Sequence, residues 1–571
     1  MRSKLIGRVL ATEKTPTTME AFNFWTDADL KLNALDVIKV QHIDGSFTFG
    51  VIRNISHITD AQSFLSNYIA ADFGDLNSSG MTLRVGMNYA EAEVTFNNKN
   101  IYTPVHNDAP VYLASRDEVN TALGLDKIQE PVVCGVMKMY ERTEDEIVIP
   151  VKFNSKFILG PEGAHLNISG ISGLAAKTSY AMFLMKALQE RYMNIKNNGI
   201  AFVIFNVKGR DLMAIDKPND FLDAAEPELE REKVYKEYRA LGLSPEPFKH
   251  VKYFIPYASS LSAKQNSYLS KQDIKEYIQN KQLKKFKYVY QEDKGSIEML
   301  FADIDDSSQT MEAILSKIID ENDPDFGNEQ VKTWEDFRNK IDELSQSANL
   351  RAGQRRSSNE ISVLSWRKFK RVINTATQND DMFANRAETA NSECRLADEL
   401  KHIADNDVYV IDIAKLPSDK QAFVFGDAIR TLYNLKLGEY DDENKINPPS
   451  KIIIFIDELN KYASKDTPKT SPILREILDV TERGRSLGVI LFGAEQFRSA
   501  IHQRVTGNCA AQAYGRTNII ETAAKDYSAF SASSKNILTR LEQGEYMIQS
   551  PVFRDILKIK FPKPIYKQFK D

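Results

Sequence analysis

The first 115 residues carry short runs in which hydrophobic and polar residues alternate, separated by Gly, Asp and Asn. The runs include LIGRVLA, LDVIKVQ and SFTFGVIRNI. Alternation with a period of two is typical of antiparallel strands that bury one face. One stretch, SHITDAQSFLSNYIAADFGD, breaks the alternation and predicts a helix and a loop. We therefore predict a small β-barrel or sandwich over residues 1–115, followed by a connector over residues 116–160.

Beyond residue 160 the pattern changes to continuous apolar runs, each followed by a segment of helical periodicity. The first unit reads as the strand HLNISG, a glycine-rich loop, the helix KTSYAMFLMKALQERYMNI and the strand GIAFVIFNVKG. Continuous apolar strands joined by helices are typical of a parallel sheet covered on both faces. The pattern resumes with DVYVIDI, KIIIFIDELNKYA, GVILFGAEQF and AAQAYGRT. We predict one α/β core formed by residues 161–214 and 401–571.

Residues 215–400 are rich in charged side chains. Their apolar positions recur at helical spacing, as in DFLDAAEPELEREKVYKEYRAL and KTWEDFRNKIDELSQSA. Such segments favour amphipathic helices. Because the α/β pattern continues on the far side of the segment, we predict a large, mostly helical insertion that interrupts one sheet.

Composition and charge narrow the possible classes of protein. The chain has 571 residues, of which 42% are hydrophobic, and a net charge of −5. That length allows several domains. Because the net charge is negative, any contact with nucleic acid has to be made by a local group of basic residues. The three cysteines and seven histidines are scattered, so they predict no metal site of their own. No apolar run approaches the ~20 residues of a membrane helix, so we expect a cytoplasmic protein.

The stretch GISGLAAKTS approaches the phosphate-binding pattern G-x-x-x-x-G-K-[ST]. Ala176 stands where the last glycine belongs, and Gly170 lies one residue too far upstream. Small residues let backbone N–H groups converge on phosphate oxygens, while a lysine and a hydroxyl serve the phosphates and magnesium. A helix-capping turn is the alternative interpretation. The predicted nucleotide-binding residues are Gly170, Gly173, Ala175, Ala176, Lys177, Thr178 and Ser179.

A second motif is the apolar run of KIIIFIDELN, which ends in Asp457 and Glu458. This arrangement is typical of a Walker B strand, in which the first carboxylate holds magnesium and the second polarises the attacking water. We predict Thr178 and Asp457 as Mg²⁺ ligands and Glu458 as a catalytic residue. The alternative is a buried strand that ends in two exposed carboxylates.

Two further residues are predicted from their order in the chain. Gln496 follows the strand of GVILFGAEQF, where an amide can sense a γ-phosphate or position water. Arg485 precedes this strand, and an arginine at a subunit edge can stabilise charge in a neighbour's transition state. The arginines that compete for this role are Arg498, Arg504 and Arg516. The predicted catalytic residues of an ATP and Mg²⁺ site are thus Lys177, Glu458, Gln496 and Arg485.

The order of these motifs resembles the HerA family of hexameric ATPases in the HerA/FtsK superfamily. The N-terminal segment looks like its HAS-barrel, and AHLNISGISG looks like the strand before its phosphate loop, with His165, Ile168 and Gly170 at matching positions. Asn206 replaces the family's usual Asp after the next strand, while Lys208 remains. The segments ERGRSLGVILFGAEQF and LEQGEYMI are similar to later family motifs. The resemblance covers most of the chain outside the insertion and implies a RecA-like P-loop ATPase core.

The resemblance also implies a homo-hexamer with ATP bound between neighbours and double-stranded DNA in the central pore. Its departures from the family pattern resemble the HerA-like ATPases of bacterial antiphage systems, which act with a nuclease or a sirtuin-type NAD-consuming effector docked on the barrel face. Lys and Arg contacts to phosphates would give sequence-independent DNA binding. The candidate residues are Arg351, Arg355, Arg356, Arg367, Lys368, Lys370 and Arg371. A solvated helix face is the alternative for these residues.

Three functions remain open at this point. The resemblance favours a ring-forming ATP hydrolase that translocates double-stranded DNA, like a helicase, and works with a partner nuclease or NAD-consuming effector in antiphage defence. The alternative is an ATP-binding hexameric scaffold that activates a partner enzyme without productive translocation. A coupling ATPase of a conjugation or secretion machine is less favoured, because no membrane segment is apparent.

Overall fold

The computed structural model describes residues 4–70, 72–75, 85–171, 173, 176–193, 195, 199–259, 266–304, 306, 309–346, 361–440 and 447–569. Of the predicted functional residues, those outside the described residues are Ala175, Arg351, Arg355 and Arg356. The chain divides into two compact units. The first unit comprises Met1–Asn154 and Tyr514–Phe561, and the second comprises Ser155–Ala513 and Pro562–Asp571.

The strands are numbered in chain order. They are β1 (Leu5–Leu10), β2 (Ala21–Thr26), β3 (Val37–Gln41), β4 (Phe47–Thr59), β5 (Gly86–Asn97), β6 (Pro110–Leu113), β7 (Pro131–Met139), β8 (Ile147–Asn154), β9 (Ala164–Ser169), β10 (Ile200–Asn206), β11 (Val251–Pro256), β12 (Leu283–Val289), β13 (Phe383–Ala384), β14 (Glu393–Arg395), β15 (Val408–Asp412), β16 (Lys451–Ile456), β17 (Val489–Glu495), β18 (Cys509–Tyr514), β19 (Glu545–Gln549) and β20 (Leu557–Lys560).

The α-helices are numbered in the same way. They are α1 (Phe64–Ala70), α2 (Arg116–Leu123), α3 (Lys177–Tyr192), α4 (Pro227–Ala240), α5 (Lys271–Gln279), α6 (Tyr290–Asp293), α7 (Thr310–Ile319), α8 (Trp334–Ser345), α9 (Val363–Thr377), α10 (Leu396–Lys401), α11 (Ser418–Leu437), α12 (Pro472–Leu487), α13 (Gln503–Asn508), α14 (Ile519–Thr522) and α15 (Ala532–Arg540).

A closed antiparallel barrel in the order β1-β2-β5-β4-β3-β6 forms the first part of unit one. Along β2, Phe22 and Phe24 are buried while the residues between and beside them are more exposed. Glycine is needed at position 7, where β1 pairs with β2, because a Cβ there would lie 2.0 Å from the carbonyl oxygen of Trp25. The small barrel predicted from alternation over residues 1–115 is confirmed.

The remainder of unit one consists of antiparallel strands outside the barrel. β7 pairs with β8 and with β20, and β20 pairs with β19. Residues 116–160, predicted as a connector, therefore contain α2 and the β7–β8 hairpin. Tyr514–Phe561 belong to this unit, although the sequence pattern assigns residues 401–571 to the α/β core. Their buried side chains include Tyr514, Tyr527, Phe530, Leu538, Leu541 and Met547.

Unit two is built on a sheet in the order β13-β12-β11-β15-β10-β16-β17-β9, with β18 beside β9. The central pairs β15–β10, β10–β16, β16–β17 and β17–β9 are all parallel. Every residue of β9 and β10 is buried, as expected for strands covered on both faces. The predicted parallel-sheet α/β core is confirmed.

The mostly helical insertion over residues 215–400 is not confirmed. The segment contains helices α4 to α9, but it also supplies β11 and β12 to the parallel sheet beside β15. β12 reads LKKFKYV, and its lysines interrupt the continuous apolar run that predicts a buried strand. Lys287 is buried and pairs with Glu393 at 2.6 Å. This ion pair neutralises the lysine at a position where an apolar residue is expected.

The described part of the chain contains no helix that is both long and apolar enough to cross a membrane. Within the same residues, His, Cys, Asp and Glu side chains form no group of three or more that could hold a metal ion. The cysteines Cys134, Cys394 and Cys509 are free and buried.

Candidate functional site

The candidate site lies where the parallel strands β9, β10 and β16 end. Because parallel strands end at the same edge of a sheet, the segments after Ser169, Asn206 and Ile456 meet at this carboxyl edge. β17 separates β9 from β16, so the ends of these strands stand about 10 Å apart. The edge carries the glycine-rich loop (residues 170–176), the carboxylates after β16 and the turn after β10.

Three described residues of the glycine-rich loop between β9 and α3 have positive φ angles. Gly170 and Gly173 have φ angles of 149° and 82°, and Ala176 has a φ of 48°. Glycine adopts such angles freely, whereas a residue with a Cβ in left-handed conformation is strained by ~1–2 kcal/mol. Ala176 directly precedes α3, which begins with Lys177 and Thr178. The loop therefore keeps the backbone conformation that favours glycine even where alanine replaces it.

Lys177 folds back over the glycine-rich loop. Its Nζ donates a hydrogen bond to the carbonyl oxygen of Gly170 at 2.9 Å, and only 6% of the residue is exposed. Burial lowers the pKa of Lys177, while the carboxylate of Asp457 opposes that shift. A buried ammonium group gains stability from an anion, so this position favours a ligand that carries phosphate groups.

Thr178 and Asp457 form the contact that joins the two predicted motifs. The hydroxyl of Thr178 donates a hydrogen bond to Oδ2 of Asp457 at 2.8 Å, across 279 residues of sequence. The backbone N–H of Glu458 donates to Oδ1 of Asp457 at 2.9 Å and fixes the carboxylate. Magnesium in nucleotide sites is held by one or two oxygen side chains, substrate phosphates and water. This hydroxyl and carboxylate therefore fit Mg²⁺ bound together with a nucleotide.

Glu458 lies beside this pair in left-handed backbone, with a φ of 59°. Its Oε1 accepts from Lys208 Nζ at 2.8 Å, and its Oε2 accepts from Lys461 Nζ at 2.6 Å. Burial acts to raise the pKa of Glu458, but the two lysines outweigh it and lower the pKa. The carboxylate is therefore ionised, and both of its oxygens are engaged.

A cavity of about 300 Å³ opens between these groups, and we call it the site cavity. The predicted residues that line it are Gly173, Ala176, Lys177, Thr178, Ser179 and Asp457. The lining residues that were not predicted as site residues include Lys208, Asp211, Tyr566 and Phe569, of which Lys208 was noted only as a match to the family pattern. The turn residues Lys208 and Asp211 could have been found from their place after an apolar strand. Tyr566 and Phe569 carry no motif that marks them.

Asn206, where an aspartate is the expected residue, ties the turn after β10 to the neighbouring strand. Its Nδ2 donates to Oδ1 of Asp412 at 2.9 Å and to the carbonyl oxygen of Gly209 at 3.0 Å. Asp412 is fully buried at the end of β15, and burial raises its pKa to about 6. An aspartate at position 206 would place its carboxylate against that of Asp412. The amide of Asn206 instead donates a hydrogen bond to Asp412 and avoids this repulsion.

Gln496, predicted to sense the γ-phosphate, is exposed just after β17. The preceding residue, Glu495, is completely buried, and its backbone carbonyl accepts from the N–H of Gly170 at 3.2 Å. Burial raises the pKa of Glu495 to about 8, although the nearby amide of Asn167 and nearby cations oppose the shift. One of these cations is Arg498, which donates to Oδ1 of Asn167 at 2.9 Å. The raised pKa favours the protonated form of this buried carboxyl near neutral pH.

Arg485 lies in the last turn of α12, which runs from the carboxyl edge of the sheet back to its amino edge. Its Nη1 donates to the carbonyl oxygen of Glu162 at 3.3 Å, so the structure does not bring it to Lys177 within one chain. Arg475, in the first turns of α12, is exposed on the carboxyl-edge side. Nε and Nη2 of Arg504 donate hydrogen bonds to the carboxylate of Glu482, at 2.6 and 2.8 Å.

The basic stretch predicted to contact DNA forms part of α9. Arg367, Lys370 and Arg371 line an open cavity of about 730 Å³. Nε of Arg367 donates to the carbonyl oxygen of Ser345 at 3.0 Å, and Lys370 pairs with Asp342. Arg371 is exposed on the same helix.

Several solved structures are similar to this chain at low sequence identity. The bacterial conjugative coupling protein TrwB is 11% identical, with 74% of this chain and 90% of that chain covered and a TM-score of 0.40. VirB4 of Thermoanaerobacter pseudethanolicus is also 11% identical, with 76% and 96% covered and a TM-score of 0.41.

A shorter match is the genome packaging NTPase B204 from Sulfolobus turreted icosahedral virus 2, in complex with ATP-gammaS. It is 16% identical, with 29% of this chain and 72% of that chain covered and a TM-score of 0.22. No protein-family model and no curated protein match the sequence. Similarity at these levels assigns neither a family nor an activity to the chain.

Proposed function

We propose that the chain binds ATP together with Mg²⁺ in the site cavity and hydrolyses it. The observation that carries this proposal is the convergence of Lys177, Thr178 and Asp457 on one cavity of about 300 Å³. The Thr178–Asp457 hydrogen bond of 2.8 Å joins a helix start and a strand end that are far apart in sequence. A helix-capping turn alone gives no reason for a buried lysine beside a hydroxyl–carboxylate pair.

Each residue then has a role that follows from its position. The ammonium of Lys177 and the first N–H groups of α3 hold the β- and γ-phosphates. The oxygens of Thr178 and Asp457 hold Mg²⁺, which supplies charge neutralisation to the phosphates when it is bound. Glu458, which directly follows Asp457, orients and deprotonates the attacking water once an oxygen of its carboxylate is released from a lysine partner. Gln496 and an arginine from a neighbouring copy complete the proposed set.

The proposed work of this ATPase is translocation of double-stranded DNA by a homo-hexamer that resembles the HerA family. The motif order of the sequence and the exposed cationic face of α9 support it. In this proposal a partner nuclease or a sirtuin-type effector docks on the barrel, in antiphage defence. The second candidate is a nucleotide-dependent scaffold for a partner enzyme. The two lysine contacts that occupy Glu458 favour it, because they slow water activation.

Steady-state ATP hydrolysis with and without duplex DNA tests the proposal, with Lys177→Ala as the control. We expect hydrolysis that DNA stimulates and that falls at least about a hundredfold in Lys177→Ala, because the phosphate charge loses its buried partner. Hydrolysis that ignores DNA would favour the scaffold. Equal rates for the wild type and the variant, with unchanged melting temperatures, would exclude this cavity as the catalytic site.

A further inference from the structure

Lys208 connects the site cavity to the residue proposed to activate water. It lies in the turn after β10, and its Nζ contacts Oε1 of Glu458 at 2.8 Å. The other oxygen of Glu458, Oε2, contacts Lys461 Nζ at 2.6 Å. A carboxylate that accepts from two ammonium groups has less capacity to take a proton from water.

The two lysines differ in what else they face. Lys208 lines the site cavity together with Lys177 and Asp457, and 47% of its side chain is exposed. Lys461 lines a separate cavity of about 230 Å³, beside Tyr462. A triphosphate in the site cavity therefore comes within reach of Lys208.

The turn that carries Lys208 is held firmly at both ends. Nδ2 of Asn206 donates to the carbonyl oxygen of Gly209 at 3.0 Å, and Oδ1 of Asn206 accepts from the N–H of Leu212 at 3.3 Å. Because the backbone is fixed, only the flexible side chain of Lys208 needs to move between two acceptors. A terminal phosphate carries more negative charge than one carboxylate, so it is the stronger acceptor when it is present.

We infer that Lys208 is the residue by which the site distinguishes ATP from ADP. Without nucleotide it holds Glu458; with ATP bound, its ammonium moves to the γ-phosphate and leaves Glu458 able to orient water. ADP lacks the γ-phosphate and leaves the Lys208–Glu458 contact in place. The inference rests on the proposed function and adds to it a residue that contacts the γ-phosphate and thereby links the presence of ATP in the cavity to the ability of Glu458 to orient water.

Equilibrium binding of ATPγS and of ADP, each with Mg²⁺, tests this by calorimetry on the full chain. We expect Lys208→Met to weaken ATPγS about tenfold or more and ADP less than about twofold, because one charge-assisted contact to the γ-phosphate is lost. Lys208→Arg restores the preference for ATPγS. Lys461→Met is the matched control, since it also removes a cation from Glu458, and it keeps the wild-type ratio of the two affinities.

Hydrolysis by the same variants gives a second readout. We expect the KM of Lys208→Met for ATP to rise, and Lys208→Arg to recover most of the wild-type KM. A constant ionic contact that only supports the fold would instead lower the melting temperature and leave the ratio of ATPγS to ADP affinity unchanged. An unchanged ratio in Lys208→Met overturns the inference while the proposed ATPase stands. Failure of the wild type to bind either nucleotide overturns both.

Discussion

Glu495 is a carboxylic acid buried behind the glycine-rich loop, at the last position of β17. Burial raises its pKa to about 8, so near neutral pH it holds a proton that the unfolded chain has released. The neutral form can remain behind the loop without adding negative charge to a cavity proposed to bind phosphates. Its neighbour Gln496 was predicted instead, because every residue of β17 is buried and the sequence pattern does not distinguish Glu495 from the rest of the strand.

Glu495→Gln should change how stability depends on pH. The native pKa is raised from 4.5 to about 8, so the wild type loses free energy of unfolding as pH rises through this window. Glutamine resembles the protonated acid and does not titrate. We expect the stability of the variant relative to the wild type to increase between about pH 5 and pH 8, by on the order of a few kcal/mol.

Melting temperatures of both proteins across this pH range provide the measurement. Glu521→Gln is a suitable control, since it also replaces a buried glutamate but lies in unit one. A difference between wild type and Glu495→Gln that stays constant with pH would show that Glu495 is ionised at neutral pH.

Helix α12 runs from the carboxyl edge, where Asp457 lies, to the amino edge, where β17 begins. Its direction separates Arg475, near the start, from Arg483 and Arg485, near the end, and all three are exposed. An arginine that serves a neighbour's phosphates in a ring has to project from a subunit surface. We propose Arg475 for this role because it shares the edge of the candidate site, and Arg485 is the alternative.

Arg475→Ala and Arg485→Ala form a matched pair of variants, since each removes one exposed guanidinium from α12. We expect Arg475→Ala to lower kcat for ATP at least about tenfold, because transition-state charge loses a partner, with nucleotide affinity nearly unchanged. Arg485→Ala should change kcat much less. The opposite order of effects would assign the trans-acting role to Arg485.

The elements found from sequence are those whose pattern is local. Alternation identified the barrel, and long apolar runs identified β10, β16 and β17, because each of these strands shows its burial in consecutive residues. β12 was missed because Lys287 is neutralised by Glu393, a partner 106 residues away that no local window contains. The helix and strand ends that carry Lys177, Thr178 and Asp457 could be predicted, since the strand, loop and helix order fixes where they meet.

The arrangement of the whole chain was less predictable from sequence. The chain leaves unit two at Ala513, forms part of unit one over Tyr514–Phe561, and returns with its last residues. No composition change marks these crossings, because both units use apolar strands and polar turns. The same return brings Tyr566 and Phe569 to the site cavity, and their contribution depends on tertiary contacts alone.

Phe569→Ala tests whether this returning segment takes part in nucleotide binding. The ring lines the site cavity and lies under the guanidinium of Arg210, 4.4 Å from its centre. We expect the variant to weaken ADP and ATPγS alike, by about threefold to tenfold, because the aromatic contact is lost with either ligand. Calorimetric titration measures both affinities. Phe497→Ala, at an exposed aromatic residue of unit two that does not line the site cavity, should leave them unchanged, and an equal loss in that variant would contradict a specific role for Phe569.

During translation, Lys177 and Asp457 are synthesised well before Tyr566 and Phe569. A nascent chain can therefore form the hydroxyl–carboxylate pair of the candidate site while one wall of the cavity has not yet been synthesised. Residues 514–561 must emerge first, and they belong to the other unit. Because domains generally fold as they emerge, the nucleotide binding proposed for this cavity would be completed late in biogenesis. Chains stalled before residue 566 would then carry the phosphate-binding groups without sequestering cellular ATP.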